Sequence, residues 1–198
     1  MSRFVESIRI LDGRPVNMAF HQIRFERTRR DVMGLTTHPD LSKYLDFSAT
    51  GPAGLCKCRL LYDKEVSDVQ IQAYRRPEIT SIRLVYSDHI SYPYKYTDRK
   101  MLDELFNQRA DCEDIIIVKN GLVTDSYAAN VVFSDGNSLV TPDSPLLPGT
   151  MREFLLRKGE IREMRITADM IGKFSEIRLI NALNDLEEAP RIRISQVI

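Results

Sequence analysis

The chain has 198 residues, 43% hydrophobic and 28% charged, a balance that excludes a disordered chain and provides apolar material for a folded core. Lysine plus arginine (28) equals aspartate plus glutamate (28), so no global field favours nucleic acid or an anionic membrane, and any anion must be caught locally. No apolar run approaches the ~18 residues that span a bilayer, and the N-terminus lacks a signal-peptide core, so the expected location is cytoplasmic and non-membrane.

Residues 4–34 open with an alternating, strand-like run and turn at Asp12-Gly13. They continue past Asn17, an expected N-cap, into a helical pattern that Gly34 closes. Residues 35–54 are mixed and end in "TGPAG", a loop signal. "CRLLYD", "VQIQAY" and "SIRLVYSD" read as three strands, which makes this half α+β. Cys56 and Cys58, one residue apart, and Cys112 form neither a disulfide framework nor a zinc pattern, and are expected to be reduced packing residues.

In "TDRKMLDELFNQRA" Met101 with Leu105 and Leu102 with Phe106 predict a helix with one buried face, capped by Thr97 or Asp98. A meander follows: "IIIVK" turns at Asn120-Gly121 into "LVTD", and "NVVF" turns through "SDGN" into "SLVTP". "LLPGTMREFLLRKG" predicts a helix of about two turns, with a Thr150–Glu153 capping box and a Gly159 stop. A strand "IREMRI", a short helix from Thr167 and a strand "EIRLINAL" complete the chain. The pattern divides it into a smaller N-terminal α+β domain over residues 1–87, a loop over 88–94 and a larger C-terminal domain over 95–198 with antiparallel strands.

Four features offer chemistry, each beside a plainer alternative. Lys95, in "YPYKYTDR", is a solvated loop charge or a nucleophile whose pKa the neighbouring Tyr94 and Tyr96 depress by desolvation. "LPGTMR" runs a Pro-Gly turn into a helix, leaving the N–H groups of Gly149, Thr150 and Met151 at a positive helix end that suits a phosphate; other helix ends of this kind bind water. Asp125, in "VTDSYAAN", caps a turn or faces a cofactor. Arg24, in "HQIRFERTRR", belongs to a solvated helix face or contacts an anion.

In this order the motifs resemble the class IV aminotransferases, the pyridoxal-phosphate (PLP) enzymes of fold type IV. These include D-amino acid and branched-chain aminotransferases and 4-amino-4-deoxychorismate lyase. "FVESIRILDGRPVNMAFHQIRF" resembles the family's F-E-T opening followed by H-x-x-R-L, which gives Arg24 a contact to the cofactor phosphate. "KYTDR" is similar to K-x-x-N-R, which makes Lys95 the lysine that binds the cofactor as an imine, with Asp98 where asparagine is commoner. "GLVTDSYAANVVF" resembles G-x-V-T-E-x-x-x-x-N-x-F and pairs Asp125 with the pyridine nitrogen. "LLPGTMR" resembles L-P-G-I-T-R and gives the backbone N–H groups of Thr150 and Met151 to the phosphate. "LINALND" resembles a late segment whose residues, here Asn181 and Ala182, close the phosphate cup.

The resemblance implies a two-domain fold of mixed α+β and α/β character, a homodimer, and no metal. It implies a small-molecule amine substrate, with neither nucleic acid nor membrane as a partner. Within the family, "VTDSYAAN", the "MR" after Gly-Thr and "NAL" look most like the lyases. The expected reaction is removal of the Cα proton by Lys95 and elimination of pyruvate from aminodeoxychorismate, leaving 4-aminobenzoate. A transaminase for a small D- or L-amino acid is the alternative, and a non-catalytic relative a second one. Two departures stand out: Asp125 replaces the family's glutamate, one methylene or about 1.5 Å shorter, and the F-E-T-like segment starts at Phe4, without the longer lead-in that family members usually carry.

Overall fold

The structure, a computed structural model, describes residues 3–45 and 53–198. It divides into two compact units: Met1–Arg76 with Tyr94–Asp98, and Pro77–Pro93 with Arg99–Ile198.

The first unit is an antiparallel sheet covered by one helix. Strands β1 (Phe4–Leu11), β2 (Arg14–Pro15), β3 (Leu55–Tyr62) and β4 (Val66–Ala73) lie in the order β2-β1-β3-β4. Helix α1 (Met18–Met33) and a 3-10 turn (Leu41–Tyr44) complete the unit. Alternation sorts the strand residues: Phe4, Ile8 and Ile10 of β1, with Cys56, Cys58, Leu60 and Tyr62 of β3, pack with Phe25, Leu41 and Leu45. Burying each large apolar side chain stabilises the unit by roughly 1.5–3 kcal/mol. β3 pairs with β1 along its whole length, whereas β2 pairs only with Ile10 and Leu11. The Phe4 end of that second edge is taken by Tyr94–Asp98: Val5 N–H donates to Lys95 O (3.0 Å), Thr97 N–H to Arg3 O (2.9 Å), and Phe4 bridges Tyr96.

The second unit is built on an eight-stranded mixed sheet. Its strands are β5 (Ile82–Tyr86), β6 (Asp114–Lys119), β7 (Leu122–Ser126), β8 (Asn130–Ser134), β9 (Leu139–Pro142), β10 (Arg162–Met164), β11 (Glu176–Ile180) and β12 (Arg191–Arg193). The order is β10-β9-β8-β7-β6-β5, with β11 pairing both β8 and β12. The β5–β6 and β9–β10 pairs are parallel, joined through helices α2 (Lys100–Phe106) and α3 (Thr150–Lys158) respectively. Asn120 and Gly121 both adopt positive φ (51° and 75°), the geometry of a tight hairpin turn between β6 and β7. The main core gathers Ile82, Ile116, Val131, Phe133, Val140, Ile177 and Leu179.

Several expectations are corrected. The division falls after Arg76 instead of over residues 88–94, because β5 pairs with β6 of the second unit, and Lys95 lies in the first unit because its segment edges β1. Asn17 occupies the N-cap of α1 in a left-handed conformation (φ 56°) with no side-chain cap. Neither Thr97 nor Asp98 caps α2, whose N-cap position is Arg99; Thr97 Oγ1 donates instead to Arg3 O. On α2 the buried residues are Leu102 and Leu105, while Met101 is exposed. The helix after Thr167 is 3-10 (Ala168–Lys173), and β12 had no counterpart in the strand reading. Part of the "TGPAG" loop lies outside the described residues. The three cysteines are free and buried, and burial alone raises the Cys58 thiol to about 11.

Candidate active site

The chemistry-bearing residues fall into one cluster in each unit. In the first, Glu6 occupies a helix-facing position of β1 between Phe4 and Ile8, where alternation calls for an apolar side chain. His21 and Arg24, three apart on α1 and therefore on one face, close on it. Arg24 donates from Nε to Glu6 Oε1 (2.9 Å) and from Nη2 to Oε2 (2.6 Å), a two-point fork, while His21 Nδ1 lies 2.6 Å from Oε2. All three are buried.

Burial pushes the Glu6 carboxyl up, but the Arg24 charge and the hydrogen bonds from His21 and Arg24 outweigh it and bring the pKa down to about 2. Glu6 is thus ionised and can only accept, so Nδ1 of His21 carries the proton. Burial also lowers the His21 pKa, against the opposing pull of Glu6, with Arg24 and Lys95 lowering it further. The ring is neutral, and its Nε2 lone pair is buried with no partner among the described residues. Lys95 is therefore near enough to act on His21 electrostatically, and it is half-buried between Tyr94 and Tyr96. The ring of Tyr96 lies 5.0 Å from that of Phe4.

The neighbouring arginines of α1 are committed elsewhere. Arg29 donates to the Lys64 and Thr37 carbonyls, Arg30 pairs with Asp31 at the surface, and Arg27 lies over the Tyr94 ring at 5.5 Å.

In the second unit, the β7–β8 hairpin sets Asn130 directly across from Asp125. Asn130 Nδ2 donates to Asp125 Oδ1 (2.7 Å) and to Leu147 O (2.9 Å), and the Leu147 N–H donates to Asp125 Oδ2 (2.9 Å). Both backbone groups of Leu147 are thereby tied to the acid and its partner amide, which fixes the register of the loop leading into α3. Burial raises the Asp125 pKa to about 6, against the hydrogen bonds from Leu147 and Asn130 and the charge of Arg152.

Helix α3 begins at Thr150, with Gly149 as its N-cap. The expected capping box is absent: Glu153 N–H bonds Gly149 O at 3.0 Å, and the Glu153 carboxylate accepts from Arg157 at 2.9 Å instead. No side chain among the described residues caps the first turn, where Thr150 and Met151 are buried. Arg152 is structural, donating to Pro142 O (2.9 Å) and Glu163 (2.6 Å). Asn181 donates to Ala128 O (3.2 Å), beside the Asp125 hairpin, and its Oδ1 accepts from Leu183 and Asn184 in a tight turn that includes Ala182.

The structure thus gathers Arg24 with Glu6 and His21 in the first unit, where Lys95 lies on the segment that edges β1, and links Asp125 to the α3 N-terminus through Asn130 and Leu147 in the second. Sequence reasoning gave no role to Glu6, His21 or Asn130. The available signal was a carboxylate in an apolar strand, a histidine three residues before Arg24, and an amide five residues after Asp125.

The sequence profile of the amino-transferase class IV family matches residues 52–188. An uncharacterised protein of Haemophilus influenzae is 38% identical over 183 residues, covering 91% of this chain and 97% of its own. A crystal structure of a candidate 4-amino-4-deoxychorismate lyase from Haemophilus somnus superposes with a TM-score of 0.89 at 34% identity, covering 94% of this chain and 98% of that one. A hypothetical aminotransferase from Mycobacterium tuberculosis, in its PLP-bound form, shares the fold at 19% identity, with a TM-score of 0.76 over 96% of this chain and 80% of that one. The chain belongs to the class IV aminotransferase family and is a PLP-dependent enzyme.

The residues present fit that cofactor. An uncapped helix N-terminus suits a phosphate, a half-buried lysine suits imine chemistry, and a buried acid suits a pyridine nitrogen. No helix among the described residues is long and apolar enough to cross a membrane.

Proposed function

We propose that the protein is a 4-amino-4-deoxychorismate lyase, releasing pyruvate and leaving 4-aminobenzoate. The observation that carries this reading is the 34% identity, across nearly the whole of both chains, to the candidate lyase of Haemophilus somnus. Bound PLP supplies an electron sink for the negative charge that develops at the substrate Cα. Lys95 would hold the cofactor through Nζ and, with a substrate amine in its place, would be the base that receives the Cα proton. Asp125, as a carboxylate, would pair with the pyridine nitrogen and keep it protonated. Arg24, the N–H groups of Thr150 and Met151, and the turn at Asn181 and Ala182 would hold the phosphate, anchoring the cofactor remote from the reacting bond. The reading includes a cytoplasmic homodimer serving folate biosynthesis.

The test is a single turnover of the PLP-loaded enzyme. Aminodeoxychorismate should yield pyruvate and 4-aminobenzoate in equal amounts. The family's aminotransferase members motivate a second reading, a transaminase for a small amino acid. In that case an L- or D-amino acid converts the bound cofactor to pyridoxamine phosphate and no pyruvate leaves aminodeoxychorismate. Borohydride reduction and mass spectrometry test both: an unlabelled Lys95 peptide sinks the two enzymatic readings together.

A further inference from the structure

The second unit contains a cavity of about 320 Å³ that the proposed chemistry does not use, and every residue lining it belongs to that unit. Its walls are the segment 91–93, the turn end of the β6–β7 hairpin and the loop 144–146. The volume lies at the lower end of the range in which proteins hold small organic ligands. Tyr92, Pro93, Leu122, Pro145 and Leu146 supply its apolar surface, and three of these are rigid rings.

A single charge stands among these walls. Lys119, at the end of β6, is half-buried and is the only charged residue lining the cavity among the described residues. Its Nζ donates to Ile90 O at 2.6 Å, which sets the ammonium beside the chain that enters the 91–93 wall. An ammonium carries three donors. Among the described residues the Ile90 carbonyl takes one of them, and no carboxylate pairs with Lys119. Asp88 accepts from the Asn120 N–H (2.7 Å) instead. The hydroxyl protons of the wall are engaged within the fold: Thr124 Oγ1 donates to Ile117 O (2.7 Å) and Ser144 Oγ to Val123 O (3.1 Å).

We propose that this cavity binds a small aromatic monocarboxylate, with its carboxylate on the Lys119 ammonium and its ring against Tyr92, Pro93, Pro145 and Leu146. A partly buried cation without a counter-charge favours an anion. One ammonium suits a monoanion, whereas a phosphate dianion calls for several converging donors. Rigid apolar walls favour a ring over a short aliphatic acid, because the ring has apolar area to bury. The 4-aminobenzoate released by the reaction proposed above is a member of this class, but the inference rests on the cavity alone.

The experiment titrates the PLP-loaded full-length chain with benzoate, followed by ligand-observed NMR. Benzoate is expected to bind the wild type. Lys119→Met, which keeps the stem and removes the charge, is expected to weaken it about ten- to a hundred-fold, the span of one charge-assisted hydrogen bond. Benzamide, of the same shape without the charge, should bind weakly and equally to both proteins, and acetate and inorganic phosphate should bind more weakly than benzoate. No benzoate binding by the wild type at millimolar concentration overturns the proposal, as does an affinity that Lys119→Met leaves unchanged, which places the ligand elsewhere in the molecule. Acetate or phosphate binding as tightly as benzoate overturns the assigned class. Should Lys119→Met fail to fold, Ser91→Trp, at an exposed position of the wall, tests the same cavity by filling it. It should weaken benzoate to a similar extent, and unchanged binding overturns the proposal.

Discussion

The side-chain oxygen of Asn130 occupies the space that a β-carbon on Gly149 would need. Gly149 has an ordinary φ of −75°, so the glycine is demanded by this approach and not by backbone conformation. Because the same amide holds Asp125 and Leu147, a methyl group at 149 must push on the acid, its loop and the helix end together. Gly149→Ala is expected to destabilise the protein by about 1–3 kcal/mol, the usual cost of overpacking, and to weaken PLP loading. Chemical denaturation and a PLP absorbance titration check the two effects.

Asp125 gives stability a pH dependence opposite to that of an ordinary paired carboxylate. Its folded pKa is raised from 3.8 to about 6, so the folded state binds the proton more tightly than the unfolded chain. Stability therefore falls as pH rises through that window, by on the order of 3 kcal/mol. Asp125→Asn should abolish this decline in the apo protein, as read from denaturation midpoints between pH 4 and 6. Because His21 gives the opposite slope below 6.5, the quantity to read is the wild type minus Asp125→Asn: a difference that does not fall as pH rises from 4 to 6 would contradict the assignment.

Glu6 and His21 act on the acid side with the reverse sign. Arg24 and His21 hold Glu6 near 2, below its ordinary 4.5, so its contribution is present above that value and is lost as pH falls toward 2. This is worth on the order of 3 kcal/mol. Burial lowers His21 as well, so the neutral ring is favoured in the folded state and stability is lost as pH drops below 6.5. Glu6→Gln should flatten the loss between pH 4.5 and 2 while leaving the Asp125 window intact. Urea titrations of the two single variants and the double variant separate the contributions.

The elements were legible where local chemistry and tertiary packing agree. Asn120-Gly121 demands a hairpin, Gly159 ends α3 in a left-handed cap (φ 70°), and the alternation of β3 is clean. Asn17 stands at the N-cap of α1 as expected but without a side-chain bond, whereas caps were misplaced at Thr97 and Thr150, where α2 and α3 start from Arg99 and Gly149 and the tertiary path sets the helix start. The unit boundary was hidden because β5 looks like its predecessors: only its parallel pairing with β6, a long-range event, assigns it to the second unit. In the candidate site, lysine, acid and helix end stood out as ordered motifs. Glu6 and Asn130 did not, because their importance lies in what they touch across strands and helices.

Asp125 is one methylene shorter than the glutamate usual in the family, and the structure accounts for how the shorter arm is kept. Its two oxygens are held by Asn130 and by the Leu147 N–H, in a setting buried enough to leave Asp125 only 6% exposed. A longer side chain cannot keep both bonds without displacing the loop before Gly149. Asp125→Glu is therefore expected to cost about 1–3 kcal/mol of stability and to loosen PLP. Asp125→Asn retains an acceptor for one of the two donors and should fold and load PLP. It lacks the charge that keeps a pyridine nitrogen protonated, so kcat should fall far more than KM changes. Steady-state kinetics alongside PLP titration distinguishes the two substitutions, and a fully active Asp125→Glu would show that the loop yields where its hydrogen bonds say it is fixed.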